Sequence, residues 1–333
     1  MIDFIQSTIG SFSALVPVTL AQSLILSFVV LGIMIPFRML NFPDLTTEGA
    51  FPLGGCVCAV LILAGWPPLA AVAVAVLAGF AAGCCTAFIH LRFRIHTLLA
   101  GILMMTMLYS VNLRIMGRSN LSIFGASSIF DWMPGDDPAS HVNKIIVVGA
   151  IALVVFVLLN LFFKTEQGTA VRAVGSNPDM AEAQGINVWA ATIVGVGLAN
   201  AFSALSGAIM VQSQGFADVN MGLGVLINGL AALMIGEAIV GKELASDLGV
   251  RINGLAALMI GESIVGKQSV WRQLLAPFVG AVVYYQLVSL CLAAGMPPPD
   301  LKLATGFFVL VMLALPSIRG SRGPAAAREK MRE

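Results

Sequence analysis

Residues 49–89 read GAFPLGGCVCAVLILAGWPPLAAVAVAVLAGFAAGCCTAFI and contain no Asp, Glu, Lys or Arg. A helix needs about 20 mostly apolar residues to cross a bilayer, and this run is roughly twice that length. Gly65-Trp66-Pro67-Pro68 interrupts it near the middle. Proline lacks the amide hydrogen a helix uses and restrains the residue before it, so the stretch predicts two helices joined by a tight turn. The composition agrees. Of 333 residues, 58% are hydrophobic and only 11% charged, with a mean hydropathy of +0.94. A soluble domain carries about 25% charged residues, so this chain cannot cover a water-facing surface. A net charge of +1 leaves no broad basic field to hold nucleic acid.

Other charge-free runs extend over Phe4–Phe37, Thr97–Leu113, Ile145–Phe163, Ala183–Ala217, Val219–Gly236, Gln273–Pro299 and Leu303–Ile318. Together they predict an all-α, polytopic membrane protein with nine crossings, near 13–37, 47–65, 68–90, 95–115, 144–163, 188–211, 222–241, 272–294 and 300–317. The membrane domain is expected over 1–318 and a basic tail over 319–333. No Lys or Arg precedes Arg38, which argues against a cleaved signal peptide, so the first run is expected to remain as a span. Lys and Arg collect on the cytoplasmic side of membrane proteins. Arg319, Arg322, Arg328, Lys330 and Arg332 therefore place the carboxyl terminus inside, with Arg92, Arg94, Lys164 and Arg172. Asp131, Asp136 and Asp137 mark residues 119–141 as an outside loop, and nine crossings then put the amino terminus outside.

Ile227–Lys242 returns as Ile252–Lys267, with Ala238 versus Ser263 the one difference. The duplicated blocks are 223–247 and 248–272. Copies this alike indicate a recent tandem duplication, not an ancient structural repeat. If both crossed the membrane, the basic tail would move outside. One copy is therefore expected in the helix position, and the other as a displaced, re-entrant or surface insertion.

Three segments carry candidate functional residues. In Arg38-Met-Leu-Asn-Phe-Pro-Asp-Leu-Thr-Thr-Glu48, Pro43 forces Phe42 extended, and Asp44 is placed to cap a helix beginning near Leu45. Glu48 then falls in the first turn, where the dipole favours negative charge. One reading is an ordinary capped helix start at the surface. The other is a discontinuous helix near 41–55 that lines a translocation path, since broken backbone at membrane depth must give its polar groups to protein or water. Asp44, Thr46, Thr47 and Glu48 are the candidates there. Tyr109, Asn112 and Arg114 near the outer end of the fourth crossing join them, although Arg114 is equally placed to snorkel toward headgroups. In the second segment, Asn177 suits a helix cap, Pro178 the first helical position, and Gly185 the stop. Asp179 and Glu182 lie on that helix of about two turns, which is too short to stand alone in water and so needs a docking partner. A plain surface turn is the alternative.

Other chemistry is not expected. The five cysteines lie in apolar runs and fit small buried hydrophobes. His90 and His96 are poorly spaced for one metal, and no metal site is expected. The chain lacks G-x-x-x-x-G-K-[ST] and any nucleophile–base motif on its spans, so it is not expected to be an enzyme or to bind ATP itself. Asn200, Gln212, Gln214 and Asp218 around the sixth crossing have the same two readings, facing a polar cavity or hydrogen bonding between helices. Gly79-x-x-x-Gly83 permits close helix approach but is common by chance.

Asn41–Gly55, Tyr109–Gly117, Gly215–Gly222 and Pro299–Leu303 resemble the permease subunits of bacterial ABC importers, especially those paired with tryptophan/tyrosine-type binding proteins. That group lies within the set that includes branched-chain amino acid and ribose permeases. The likeness runs from about residue 10 to 318 and departs at the doubled block. It implies an inner-membrane permease with no cofactor of its own, with ATP bound by partner ATPase subunits. It also implies a solute-binding protein outside and a second permease chain, most simply a homodimer, enclosing a central path for a small, amino acid-like solute. The family's G-x-N-P-x-x-A coupling helix corresponds to Gly175, Asn177, Pro178 and Ala181. The competing class is a secondary transporter or channel, which would need no ATPase.

Overall fold

The computed structural model describes residues 2–132, 141–247, 270–297, 300, 303, 306 and 307. Helix α1 (Ile2–Met34) runs into a π-helical turn (Ile35–Met39), and α2 (Thr47–Leu63), α3 (Pro68–Phe93) and α4 (Thr97–Met116) follow. A short strand β1 (Asn120–Ser122) and a 3-10 turn (Ile129–Trp132) precede α5 (His141–Lys164). Next come α6 (Glu166–Ser176), α7 (Pro178–Ala183), α8 (Val188–Gln214), β2 (Phe216–Asp218), α9 (Val225–Asp247) and α10 (Val270–Ala293). Gly65 ends α2 at φ +83°, and Pro68 opens α3 at its first position, as the Gly-Trp-Pro-Pro turn requires.

Among the described residues six helices are long and apolar enough to cross a membrane: Gly10–Met39, Pro68–Phe93, Thr97–Met116, His141–Lys164, Val188–Gln214 and Gln273–Ala293. Thr47–Leu63 and Val225–Glu237 are apolar but shorter. The first helix begins at Ile2, well before the expected residue 13. Ser13 and Thr19, which could have broken it, return their hydroxyl protons to Gly10 and Leu15 carbonyls. The first copy of the repeat occupies α9. The second copy and its displacement, the crossing near 300–317 and the basic tail fall outside the described residues, apart from isolated positions.

Helix α8 forms the centre, packed by α1, α2 and α3. Without a hydrophobic drive between helices in lipid, close approach depends on small residues. A Cβ on Gly54 would overlap the Ala204 carbonyl, and one on Gly207 the Phe51 carbonyl. Gly79 and Gly83 lie against the Asn200 and Val196 carbonyls, so this G-x-x-x-G sits at an actual crossing of α3 and α8. Helices α9 and α10 meet the same way, through Gly236 and Gly280. Strands β1 and β2 pair antiparallel, Leu121 opposite Ala217. Since β2 follows α8 and α7 precedes it, strand pair and α7 lie at opposite ends of this helix, separated by roughly 40 Å at about 1.5 Å per residue.

Candidate functional site

The chain leaves helix at Leu40 and does not resume it until Thr47. Asn41 turns it with φ +50°, a left-handed conformation that asparagine tolerates better than most residues. Pro43 keeps the next stretch extended. Asp44 does not cap a helix at Leu45. Its Oδ1 accepts from the Thr46 amide at 2.8 Å, a local turn, and α2 begins one residue later. Its Oδ2 accepts from Asn200 Nδ2 at 2.8 Å, and the same amide donates to the Val196 carbonyl at 3.0 Å. Thr86 gives its only proton to the Ala82 carbonyl at 3.1 Å, so in the 2.8 Å Thr46–Thr86 contact the Thr46 hydroxyl donates. Gly101 of α4 closes the remaining side: a Cβ there would lie 2.7 Å from the Leu45 nitrogen and 3.0 Å from Asp44 Oδ1. Asp44, Thr46, Thr47, Thr86, Asn112 and Asn200 are all fully buried.

Glu48 does fall in the first turn of α2, but its carboxylate serves another helix. Oε1 accepts from the Gly224 amide at 3.2 Å, immediately before α9. Asn112 Nδ2 donates to the Gly49 carbonyl at 3.3 Å, tying α4 to the first turn of α2. Tyr109 and Arg114 point outward from α4 and are exposed. The structure thus gathers Asp44, Thr46, Thr47, Glu48 and Asn112 around the non-helical segment, while Arg114 stands on the far side of α4 and Tyr109 is exposed at the flank beside Asn112. Thr86 was not singled out in the sequence. A hydroxyl in the middle of an apolar run is its only signal.

At the other candidate segment, Asn177 Oδ1 accepts from the Met180 amide at 3.0 Å and Gly185 stops the chain at φ +82°. Helix α7 forms where the spacing predicts it, preceded by α6, which Thr165 caps through its contact with the Gly168 amide at 3.3 Å. Ala181 is buried and anchors α7, whereas Pro178, Asp179, Met180 and Glu182 are exposed. Gly175 sits so close to Met39 that a Cβ would overlap its carbonyl oxygen, and Leu40 fills the space beside Gly195 of α8. The α6–α7 hairpin therefore rests directly on residues 39–40, where the non-helical segment begins.

Apolar helices around a buried polar break, with a small capped hairpin at one end, define a multi-pass helical membrane protein. Residues 17–315 match the family described as branched-chain amino acid transport system / permease component, and the chain belongs to it. It is 34% identical over 295 residues to the tyrosine transport system permease protein of Clostridioides difficile (strain R20291), covering 89% of each chain. It is 28% identical over 195 residues to the ribose import permease protein of Escherichia coli (strain K12), covering 58% of this chain and 60% of that one. A nucleoside ABC transporter permease protein of Lactococcus lactis matches 36% of this chain at 29% identity. No solved structure gives a significant match. Members of such a family are typically transport components and not enzymes, and family and apolar helices together support a multi-pass inner-membrane protein.

Proposed function

We propose that the chain is the permease subunit of an ATP-driven importer for a small amino acid-like solute, with tyrosine, named for the Clostridioides difficile relative, as the first candidate. Two copies enclose the path, a binding protein delivers solute from outside, and ATPase subunits dock inside on α7. The amino terminus lies outside and the carboxyl terminus in the cytoplasm. Asp44, Thr46, Thr47, Glu48 and Asn112 hold a discontinuous helix beside the path, and Tyr109 and Arg114 face it.

The observation that carries this reading is the contact between Gly175 and Met39. A short capped helix gains stability only against a partner, and here the last turn of α6, which leads directly into it, is packed on the backbone that leads to Asp44. A push on Pro178, Asp179 or Glu182 is delivered as a rigid-body movement to residues 39–44. The test is uptake of labelled tyrosine into vesicles holding the chain, its ATPase and its binding protein. Uptake that needs ATP and the binding protein supports the reading; uptake driven equally well by an ion gradient with neither present would indicate a secondary carrier.

A further inference from the structure

Helices α4 and α5 are both apolar yet little covered by the rest of the chain. The residues that α5 leaves exposed along its middle are Leu153, Val154, Val157, Leu158 and Leu161, the surface a helix shows to lipid. Helix α4 also exposes Ile102, Leu103, Met107, Tyr109, Val111 and Leu113, but a polar stripe runs among them in its second half. Thr106, Ser110 and Arg114 are exposed at i, i+4 and i+8, which puts them on one face. Polar and charged side chains within a span are costly toward hydrocarbon and turn toward protein or a water-filled cavity.

The opposite edge of α4 is buried at Ala100, Gly101, Met104, Leu108, Asn112 and Met116, and it meets Asp44, Leu45 and Gly49 through Gly101 and Asn112. The exposed face is therefore backed by the segment on which the α6–α7 hairpin rests. Thr106 already donates to the Leu103 carbonyl at 2.8 Å, so its oxygen is left as an acceptor. Helix α4 carries no Asp or Glu, and among the described residues no acid forms an ion pair with Arg114. Beside the polar stripe, Met107 and Val111 edge a groove of about 600 Å³ whose other lining includes Phe88, Met104 and Ile193, all apolar. Arg114 lies three residues from Val111, on the adjoining part of the same face.

We infer that this face of α4 is a wetted wall of the solute path, with Arg114 receiving a carboxylate while Met107 and Val111 take an apolar or aromatic side chain. The inference deepens the proposed function and rests on it for the existence of a path. It names the solute class as carboxylates with a large apolar side chain. A second copy related by a two-fold axis presents the same stripe from the far side.

The test uses single cysteines at Thr106 and Ser110 and, as lipid-facing controls, at Val154 and Val157, in full-length chain assembled in vesicles. Labelling by a membrane-impermeant thiosulfonate is read above that of the parent chain's own cysteines. Thr106→Cys and Ser110→Cys are expected to react at least about tenfold faster than the controls, because thiolate chemistry needs water, and tyrosine should slow them where tyramine does not. Arg114→Gln should abolish that protection, with Arg114→Lys retaining part of it. Labelling no faster than at Val154→Cys and Val157→Cys overturns the wall. Protection by tyramine equal to that by tyrosine overturns the role of Arg114. Parallel ATP-driven uptake separates the two readings: silent cysteines with intact uptake reject only the wall, whereas labelled and protected cysteines without ATP-driven uptake reject only the importer.

Discussion

Asn200, near the middle of α8, donates to the carboxylate of Asp44 at 2.8 Å across 156 residues of chain, and both are fully buried. Its second hydrogen is held by Val196, so the amide orientation is fixed by two acceptors. Asn200→Leu leaves a buried carboxylate short of a donor and is expected to destabilise the chain by about 1–3 kcal/mol. The double change Asp44→Leu with Asn200→Leu should cost less than the two singles combined, because partners in one buried pair are not additive. Thermal melting of the four chains in detergent checks this; strictly additive losses would show that the pair is not coupled.

Gly175 and Gly185 flank α7 and are expected to fail differently when changed to alanine. At Gly185 a Cβ meets nothing, and the cost is left-handed backbone alone, about 1–2 kcal/mol. At Gly175 the Cβ would overlap the Met39 carbonyl and must part the hairpin from the chain leading to Asp44. Gly175→Ala should therefore depress ATP-driven uptake far more than Gly185→Ala at matched melting temperature. Equal uptake in the two variants would remove the contact from the mechanism.

The duplicated block yields a sharper assignment. Tyr284 of α10 donates to Asn228 Oδ1 at 3.0 Å, and Arg38 Nε to Glu237 Oε1 at 2.7 Å, so contacts of α9 are made by the first copy. In a chain with the native cysteines replaced by alanine, a short bifunctional thiol reagent should join Asn228→Cys to Tyr284→Cys but not Asn253→Cys to Tyr284→Cys. Deleting residues 243–267, which joins Lys242 to Gln268, should leave assembly and uptake close to those of the parent. Cross-linking from position 253 as efficient as from 228 would assign the helix to the second copy.

What could be read in advance follows from how local each interaction is. Asn177, Pro178 and Gly185 specify α7 within nine residues, and the Gly65–Pro68 turn is equally self-contained. Asp44 was recognisable as a costly acid near a span, but its partner lies on a helix far along the chain, and nothing local pairs them. Glu48 was legible as a first-turn acid. That its carboxylate would serve the start of α9 depends on where Gly222 and Gly224 bring the chain back against α2. The chain is non-helical only over 40–46, because α2 runs through Pro52 as a helix once Thr47 has started it. The α4 stripe of Thr106, Ser110 and Arg114 was not singled out in the sequence, because which face of α4 is covered depends on α2 and α3.

The central claim is that force enters at α7 and reaches the path through the hairpin. It is tested most directly by replacing Pro178 and Asp179 together with glycine and measuring tyrosine uptake and ATPase co-purification on the same vesicles. Loss of the fixed first turn should leave the ATPase at least partly bound and cut uptake to a small fraction of the parent rate. Undiminished uptake with both glycines in place would contradict the account.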